Sequence, residues 1–204
     1  MGRPTTPLLS TERIAATAID LVDRTGGFTI AQIAKTLGVR PSSLYNHVTS
    51  KAQIIEAMRS RIFETMPAAE SRATGATWEQ QVRSLLRSYR DAFAAHPRLV
   101  PFLTAQTVSA PDVMRIYDDM ARILSAAGLP HSRLLDIITV LDSFVIGSAL
   151  DLIAPDEVWD AGQAKSAELR EAIASADSGR LRADRSFDLG LDLLLGGLAG
   201  IGAR

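Results

Sequence analysis

The 204-residue chain is predicted to be all-α. Three observations carry that prediction. No run of five or more residues alternates apolar with polar side chains under β-branched enrichment, as a half-buried strand would. Apolar residues recur instead at three- and four-residue spacing almost throughout, which gathers them on one helix face. A Ser or Thr is followed three residues on by Gln at Thr29/Gln32, Ser50/Gln53 and Thr77/Gln80, a pairing that satisfies the orphan amides of a helix start. These signals imply about nine to ten helices.

The first helix opens near Ser10 and Thr11, with Glu12 in its first turn, and turns Ile14, Ala18, Leu21 and Val22 to one side. Gly26 and Gly27 stop it. A short helix from Thr29 carries Ile30, Ile33, Ala34 and Leu37 and ends at Gly38; another covers Pro41 to His47 around Leu44, with Val48 packing beyond its end. The next runs from Ser50 to about Met66, where Pro67 interrupts it. Residues 67–76 (PAAESRATGA) are small, polar and unpatterned, and read as a hinge. Trp78, Val82, Leu85, Leu86, Tyr89 and Phe93 mark a helix ending at His96-Pro97, followed by a short piece with Leu99, Phe102 and Leu103. Pro111 starts a helix that stops at Gly128, and Pro130 opens an apolar stretch, Leu134 to Ala154, which Asp136, Asp142 and Asp151 disqualify as a membrane span. A weaker amphipathic helix covers about Gln163 to Ala176. The segment DSGRLRADR reads as a polar link before a last helix, Phe187 to Leu198.

Composition is that of a packed globular protein, 47% hydrophobic and 22% charged, with aromatics scarce at 5%. The absence of cysteine excludes disulfides, thiolate metal sites and a Cys nucleophile, and suits the cytoplasm. The start, MGRPTTPLLSTER, has no long apolar run and is not expected to be a signal peptide. The formal charge of −1 conceals an asymmetry. Residues 1–63 hold eight Lys and Arg against four acids, net +4, and the rest carries 14 basic against 19 acidic side chains, net −5. A basic head suits a polyanion. The expected division is a head at 1–50, a linking helix at 51–66 and a body at 67–204.

Residues 29–48, TIAQIAKTLGVRPSSLYNHV, fit a helix-turn-helix, whose second helix enters the DNA major groove. Ala34 is small where the helices approach, Gly38 permits the turn, and Ile33, Leu37, Val39 and Leu44 form the apolar knot. The second helix then presents Arg40, Ser42, Ser43, Asn46 and His47, with amphipathic Tyr45. Asn bonds adenine in a bidentate way, Arg guanine and Ser either, while Pro41 suits a thymine methyl. Thr29, Gln32, Tyr45, His47 and Lys51 stand at a helix end or its flank, where phosphates would meet them.

The run LGVRPSSLYNHVTSKAQIIEAM resembles the DNA-binding domain of the tetracycline-repressor (TetR) family of bacterial regulators, with Leu37-Gly38-Val39, Leu44-Tyr45, His47-Val48 and Lys51 at the family's spacing. The resemblance implies a three-helix head, a helical body that binds ligand and dimerises, and repression of a palindromic operator relieved by a small molecule. LLRSYRDAFAAHP and LDSFVIGSALDLI resemble body helices of the drug-binding members, in which a His and a Glu help hold a magnesium-bound drug. His96 and Asp151 fall at the matching places and are thereby candidate metal ligands. Two polar drug-contacting positions are Pro67 and Trp78 here, which points away from tetracycline itself.

The body's aromatics and methionines suggest a largely apolar inducer pocket, with Trp78, Tyr89, Phe93, His96, Phe102, Met114, Tyr117, Phe144 and Asp151 as candidates. The helix around Ile138, Leu141 and Val145 has more apolar surface than one small domain can hide, and the last helix adds Leu191, Leu194, Leu195 and Leu198. The resemblance makes these a homodimer interface of four helices. A twofold dimer would set two recognition helices roughly 34 to 36 Å apart. No catalytic set, cofactor motif or His pair for zinc is present. The rival reading is a helical ligand carrier with an incidental helical hairpin, or a hydrolase using His96 with Asp91 or Asp151, for which no nucleophile is evident.

Overall fold

The computed structural model describes residues 9–64, 66 and 75–202, so most of the expected hinge, with Pro67, lies outside the described residues. Among those residues there are ten α-helices and no strand: α1 Thr11–Thr25, α2 Ile30–Leu37, α3 Pro41–Leu44, α4 Lys51–Phe63, α5 Trp78–Ala95, α6 Val100–Thr104, α7 Pro111–Ala126, α8 His131–Asp151, α9 Ala167–Ser175 and α10 Gly179–Gly202. Short 3-10 helices at Pro97–Leu99 and Ala161–Gln163 complete the order. Contacts divide the chain into two compact units, Met1–Ala69 with Ala95–Asp119 and Glu70–Ala94 with Met120–Arg204. This grouping differs from the charge-based division in placing 95–119 with the N-terminal residues.

In the first unit α1 packs along α4 and against α2. Ile14, Ala18 and Val22 from α1 meet Ile54 and Met58 from α4 in a core that also takes Ile33, Leu44, Val48, Leu99 and Leu103, all buried. Each fully buried Leu or Ile contributes roughly 1.5–3 kcal/mol through removal from water. The apolar knot is smaller than expected: Leu37 and Val39 are only half-buried, and Phe28 is buried in the same unit. The ends of α1 and α2 are set by Gly26 (φ 81°) and Gly38 (φ 68°), left-handed positions that a side chain resists. Of the three capping pairs, Thr77 and Gln80 are reciprocal, the Gln80 side chain accepting from the Thr77 amide at 3.0 Å. Gln53 reaches instead to the Thr49 amide at 2.6 Å.

In the second unit α8 packs on α10, burying Ile137, Leu141, Val145 and Ala149 from one and Ala183, Phe187, Leu191 and Leu195 from the other. The last helix departs from the sequence-based expectation. It starts at Gly179, not Phe187, because charges that suggest a polar link are bonded to other helices, Asp184 to Arg90 and Arg182 to Asp151, and the pairs Arg87 with Asp188 and Arg83 with Asp192 continue the first of these as an antiparallel ladder between α5 and α10. Their four- and three-residue spacing is helical, so polarity here marks a paired helix surface.

Gly190 lets the Phe144 ring lie against α10, since a Cβ there would overlap its edge. The ring is stacked on Phe187 at 5.5 Å and an interplanar angle of 4°. Gly190→Ala should therefore lower stability by about 1–2 kcal/mol, overpacking outweighing the better helix former. A thermal melt checks this, and an unchanged or raised midpoint would mean that the ring has room to move.

Candidate nucleic-acid interface and sensing body

The tip of the first unit is built by turn chemistry. Thr29 Oγ1 accepts from the Gln32 amide at 3.1 Å and starts α2. Gly38 ends α2, the Val39 amide returns to the Ala34 carbonyl at 3.0 Å, and extended Arg40 leads into Pro41 at the start of α3. Proline is favourable there because its missing N–H would have no helical partner. The helix is one turn long, shorter than expected. Leu44 is buried, and its carbonyl accepts from the His47 and Val48 amides at 2.9 and 3.0 Å, which closes residues 45–47 as a turn. Thr11 donates to the His47 carbonyl at 3.3 Å and ties that turn to α1.

The consequence is a continuous polar rim. Thr29, Gln32, Arg40, Pro41, Ser42, Tyr45, Asn46, His47 and Lys51 are exposed and Ser43 is half-buried. Tyr45, 55% exposed, offers its ring and hydroxyl to solvent. Lys51 is held differently from a free phosphate contact. Its ammonium lies 4.9 Å from the Phe28 ring centre and 5.9 Å from that of Phe102, an attraction worth about 0.5–1 kcal/mol at an exposed site.

A polar clamp joins α4 to the segment after α6. Buried Arg59 bonds Glu56 Oε1 at 2.9 Å and donates to the carbonyls of Leu103 at 2.7 Å and Gln106 at 3.2 Å. Glu56 Oε2 accepts from the Ser109 and Ala110 amides at 2.8 and 3.0 Å. Burial works to raise the Glu56 pKa, but the Ser109 amide, Arg59 and the Ala110 amide together outweigh it and hold the carboxyl below 4.5.

The nine residues expected around an inducer divide between the units. His96, Phe102, Met114 and Tyr117 fall in the first. There His96 Nδ1 is 2.7 Å from Asp23 Oδ2, Phe102 sits beside Phe28, and Met114 is exposed. Trp78, Tyr89, Phe93, Phe144 and Asp151 fall in the second. Tyr89 donates to Asp142 at 2.7 Å and packs on Phe93, while both Asp151 oxygens accept from Arg182 at 2.7 and 3.0 Å. A cavity of about 650 Å³ lies elsewhere in this unit, lined by Trp159, Ile173, Arg182 and the carboxylates of Asp156, Glu157, Asp160 and Asp177. Among the described residues no group of three potential metal ligands occurs.

Most of the residues expected to face a partner are turned into the unit's own core. Ile138, Leu141, Val145, Leu191 and Leu195 are buried inside the unit, and Leu194 and Leu198 are half-buried. The outward apolar residues lie at neighbouring positions: Leu135 (75% exposed) and Val140 (53%) on α8, Leu189 (61%) and Leu193 (69%) on α10. The densest apolar stripe fills the protomer's own core, and sequence density alone does not distinguish it from the exposed one. Sequence reasoning also passes over the buried arginines Arg59, Arg90 and Arg182. The signal for one of them is the spacing of Arg83, Arg87 and Arg90 against Asp184, Asp188 and Asp192.

Residues 72–201, more than half of the chain, match the family described as "Tetracyclin repressor-like, C-terminal domain". The chain belongs to the tetracycline-repressor family. A Saccharopolyspora erythraea protein named "HTH-type transcriptional regulator" is 26% identical over 96% of this chain and 86% of its own length. The apo crystal structure of ActR from Streptomyces coelicolor superposes with a TM-score of 0.82 at 23% identity, covering 98% of this chain and 99% of ActR; ActR has also been solved with actinorhodin. BioQ with its double-stranded DNA operator superposes at 0.68 and 22% identity, covering 94% of this chain and 99% of BioQ. In this tetracycline-repressor family member, no helix among the described residues is long and apolar enough to cross a membrane.

Proposed function

We propose that this tetracycline-repressor family member is a ligand-responsive transcriptional repressor that acts in the cytoplasm as a homodimer on a palindromic operator. The observation that carries the reading is the exposed rim on and around α3, with Arg40, Ser42, Asn46 and His47 projecting from a one-turn helix and its flanks, whose angle is set by Gly38 and Leu44. BioQ, which shares the fold, has been solved on its operator, and ActR with a small molecule. Both support carrying these activities over. In the reading, Arg40, Pro41, Ser42, Ser43 and Asn46 meet base edges, while Thr29, Gln32, Tyr45, His47 and Lys51 meet phosphates.

Leu135, Val140, Leu189 and Leu193 form the homodimer surface. Two copies would then present two α3 helices to successive major grooves. A largely apolar inducer enters the second unit, among residues such as Phe93 and Phe144. It releases DNA only if it binds the DNA-incompetent arrangement more tightly, because equal affinity for both shifts nothing. The clamp of Glu56 and Arg59 on residues 103–110 gives α4 a rigid handle for that change.

Fluorescence anisotropy on DNA from upstream of the protein's own gene, against scrambled duplex, tests the assignment. Asn46→Ala should reduce discrimination between the two by about 1–3 kcal/mol with little effect on scrambled DNA. Lys51→Ala should weaken both alike and flatten the salt dependence. Equal losses on both duplexes from both variants would contradict the division of roles.

A further inference from the structure

We propose that the cavity beside Trp159 binds an organic amine, an ammonium group on an aromatic body, at a site separate from the apolar one expected for an inducer. None of the nine residues expected around an inducer lines it. The inference does not depend on the regulator reading, since the cavity and its charges lie within the second unit.

The cavity holds about 650 Å³, within the roughly 300–1,000 Å³ of small-molecule sites. Asp156, Glu157, Asp160 and Asp177 line it together with Arg182, and the pairings among these decide its charge. Arg182 gives both Nη atoms to Asp151, at 2.7 and 3.0 Å, and Asp177 holds Arg185. Asp156, Glu157 and Asp160 are left without an ion-pair partner among the described residues, so three negative charges are uncompensated. Asp160 Oδ1 accepts from the Gly162 amide at 2.8 Å, while Asp156 and Glu157 accept no hydrogen bond among the described residues. Trp159 is 54% exposed, with the Arg182 guanidinium 5.4 Å from its ring centre. Arg182 is itself nine-tenths buried, and its Nε has no partner among the described residues.

A cleft lined by one sign of charge concentrates ions of the other. The carboxylates do not form a metal site, because no three potential ligands among the described residues are grouped closely enough to hold an ion. Charges spread around a cavity of this size suit an ammonium on an organic frame. Indole is the aromatic face that attracts cations most strongly, and it also stacks on flat rings. Asp151 takes the end of the Arg182 fork, which leaves the side edge with Nε as a donor for an acceptor on the ligand. Buried donors without acceptors are rare and mark places where a bound molecule completes the set. An arylalkylamine carrying an oxygen meets all three features: its ring lies on Trp159, its ammonium faces the free carboxylates and its oxygen accepts from Arg182.

Calorimetry on the full-length protein with tyramine, and with tyrosol as its uncharged counterpart, tests this directly. Tyramine should bind wild type about fivefold or more tightly than tyrosol, the size expected of an ion pair and a cation–π contact together. Phenethylamine, which lacks the oxygen, should bind about threefold more weakly than tyramine. Replacing both Asp156→Asn and Glu157→Gln should cut the preference for the amine to about twofold and leave tyrosol affinity within about twofold. Trp159→Leu should weaken tyramine and tyrosol alike by about three- to tenfold. The three substituted side chains are exposed, so circular dichroism melts should match wild type. Equal affinity of tyramine and tyrosol for wild type, a preference that survives the double substitution, or no binding of tyramine would overturn the proposal. Equal binding of tyramine and phenethylamine would overturn the part given to Arg182. Operator binding without any amine, measured on the same samples, reports separately on the regulator reading.

Discussion

Arg59→Met should destabilise the protein by about 3–5 kcal/mol and lower its melting midpoint by about 6–20 °C. Few substitutions in a protein of this size cost so much. The reason is that Arg59 is 4% exposed and bonds three acceptors at once: Glu56, the Leu103 carbonyl and the Gln106 carbonyl. Methionine fills much of the volume but leaves a half-buried carboxylate and two backbone oxygens without their donor, and breaking such a set costs far more than its net worth when intact. The pH dependence has a definite sign. Because the folded protein holds the Glu56 carboxyl below 4.5, its contribution is present above that value and is lost as pH falls through the lower folded pKa. Melts between neutral and acid pH should show a stability loss that Glu56→Gln reduces. A midpoint for Arg59→Met within about 2 °C of wild type, under 1 kcal/mol in a chain this long, would show that the clamp is dispensable.

Leu193→Asp should produce monomers in sedimentation and reduce operator affinity by roughly 10³-fold or more, towards the non-specific level. Leu193 is 69% exposed and Leu189 61% exposed on α10, with Leu135 75% exposed on α8. Large apolar side chains left exposed on two helices that pack on each other are of the kind a partner covers. The control is Leu191→Asp, two positions earlier. Leu191 is fully buried, so a carboxylate there should melt the unit without producing a folded monomer. A Leu193→Asp protein that stays dimeric would remove this face from the interface.

Much of the head can be read from local chemistry. Gly26, Gly38, Pro41 and the Ser or Thr caps act within a few residues, so turn geometry and the exposure of Asn46 and His47 follow from sequence spacing. Legibility fails where the deciding partner is distant in sequence. The stretch from Asp177 to Arg185 reads as a link because Asp151 and the α5 arginines that pair with its helix lie 31 to 109 residues away. The inward and outward apolar residues of α8 are not separable in the sequence for a related reason. On α8 both faces are apolar, and only the position of α10 determines that Val145 points inward and Val140 outward. The aromatic candidates follow from residue type, and type does not reveal that Phe102 sits beside Phe28 or that Phe144 stacks on Phe187.

The central claim is that a dimer of this chain reads DNA sequence through α3 and its flanking turn. Repeated selection of bound duplexes from a randomised pool tests it whatever the operator turns out to be. The account predicts enrichment of an inverted repeat whose half-sites lie about one helical turn or a multiple apart, with affinity falling by roughly 10³–10⁵ between about 50 and 200 mM salt if about 6–10 phosphates are contacted. A pool that stays random in sequence after selection, with the protein folded and dimeric, would contradict it.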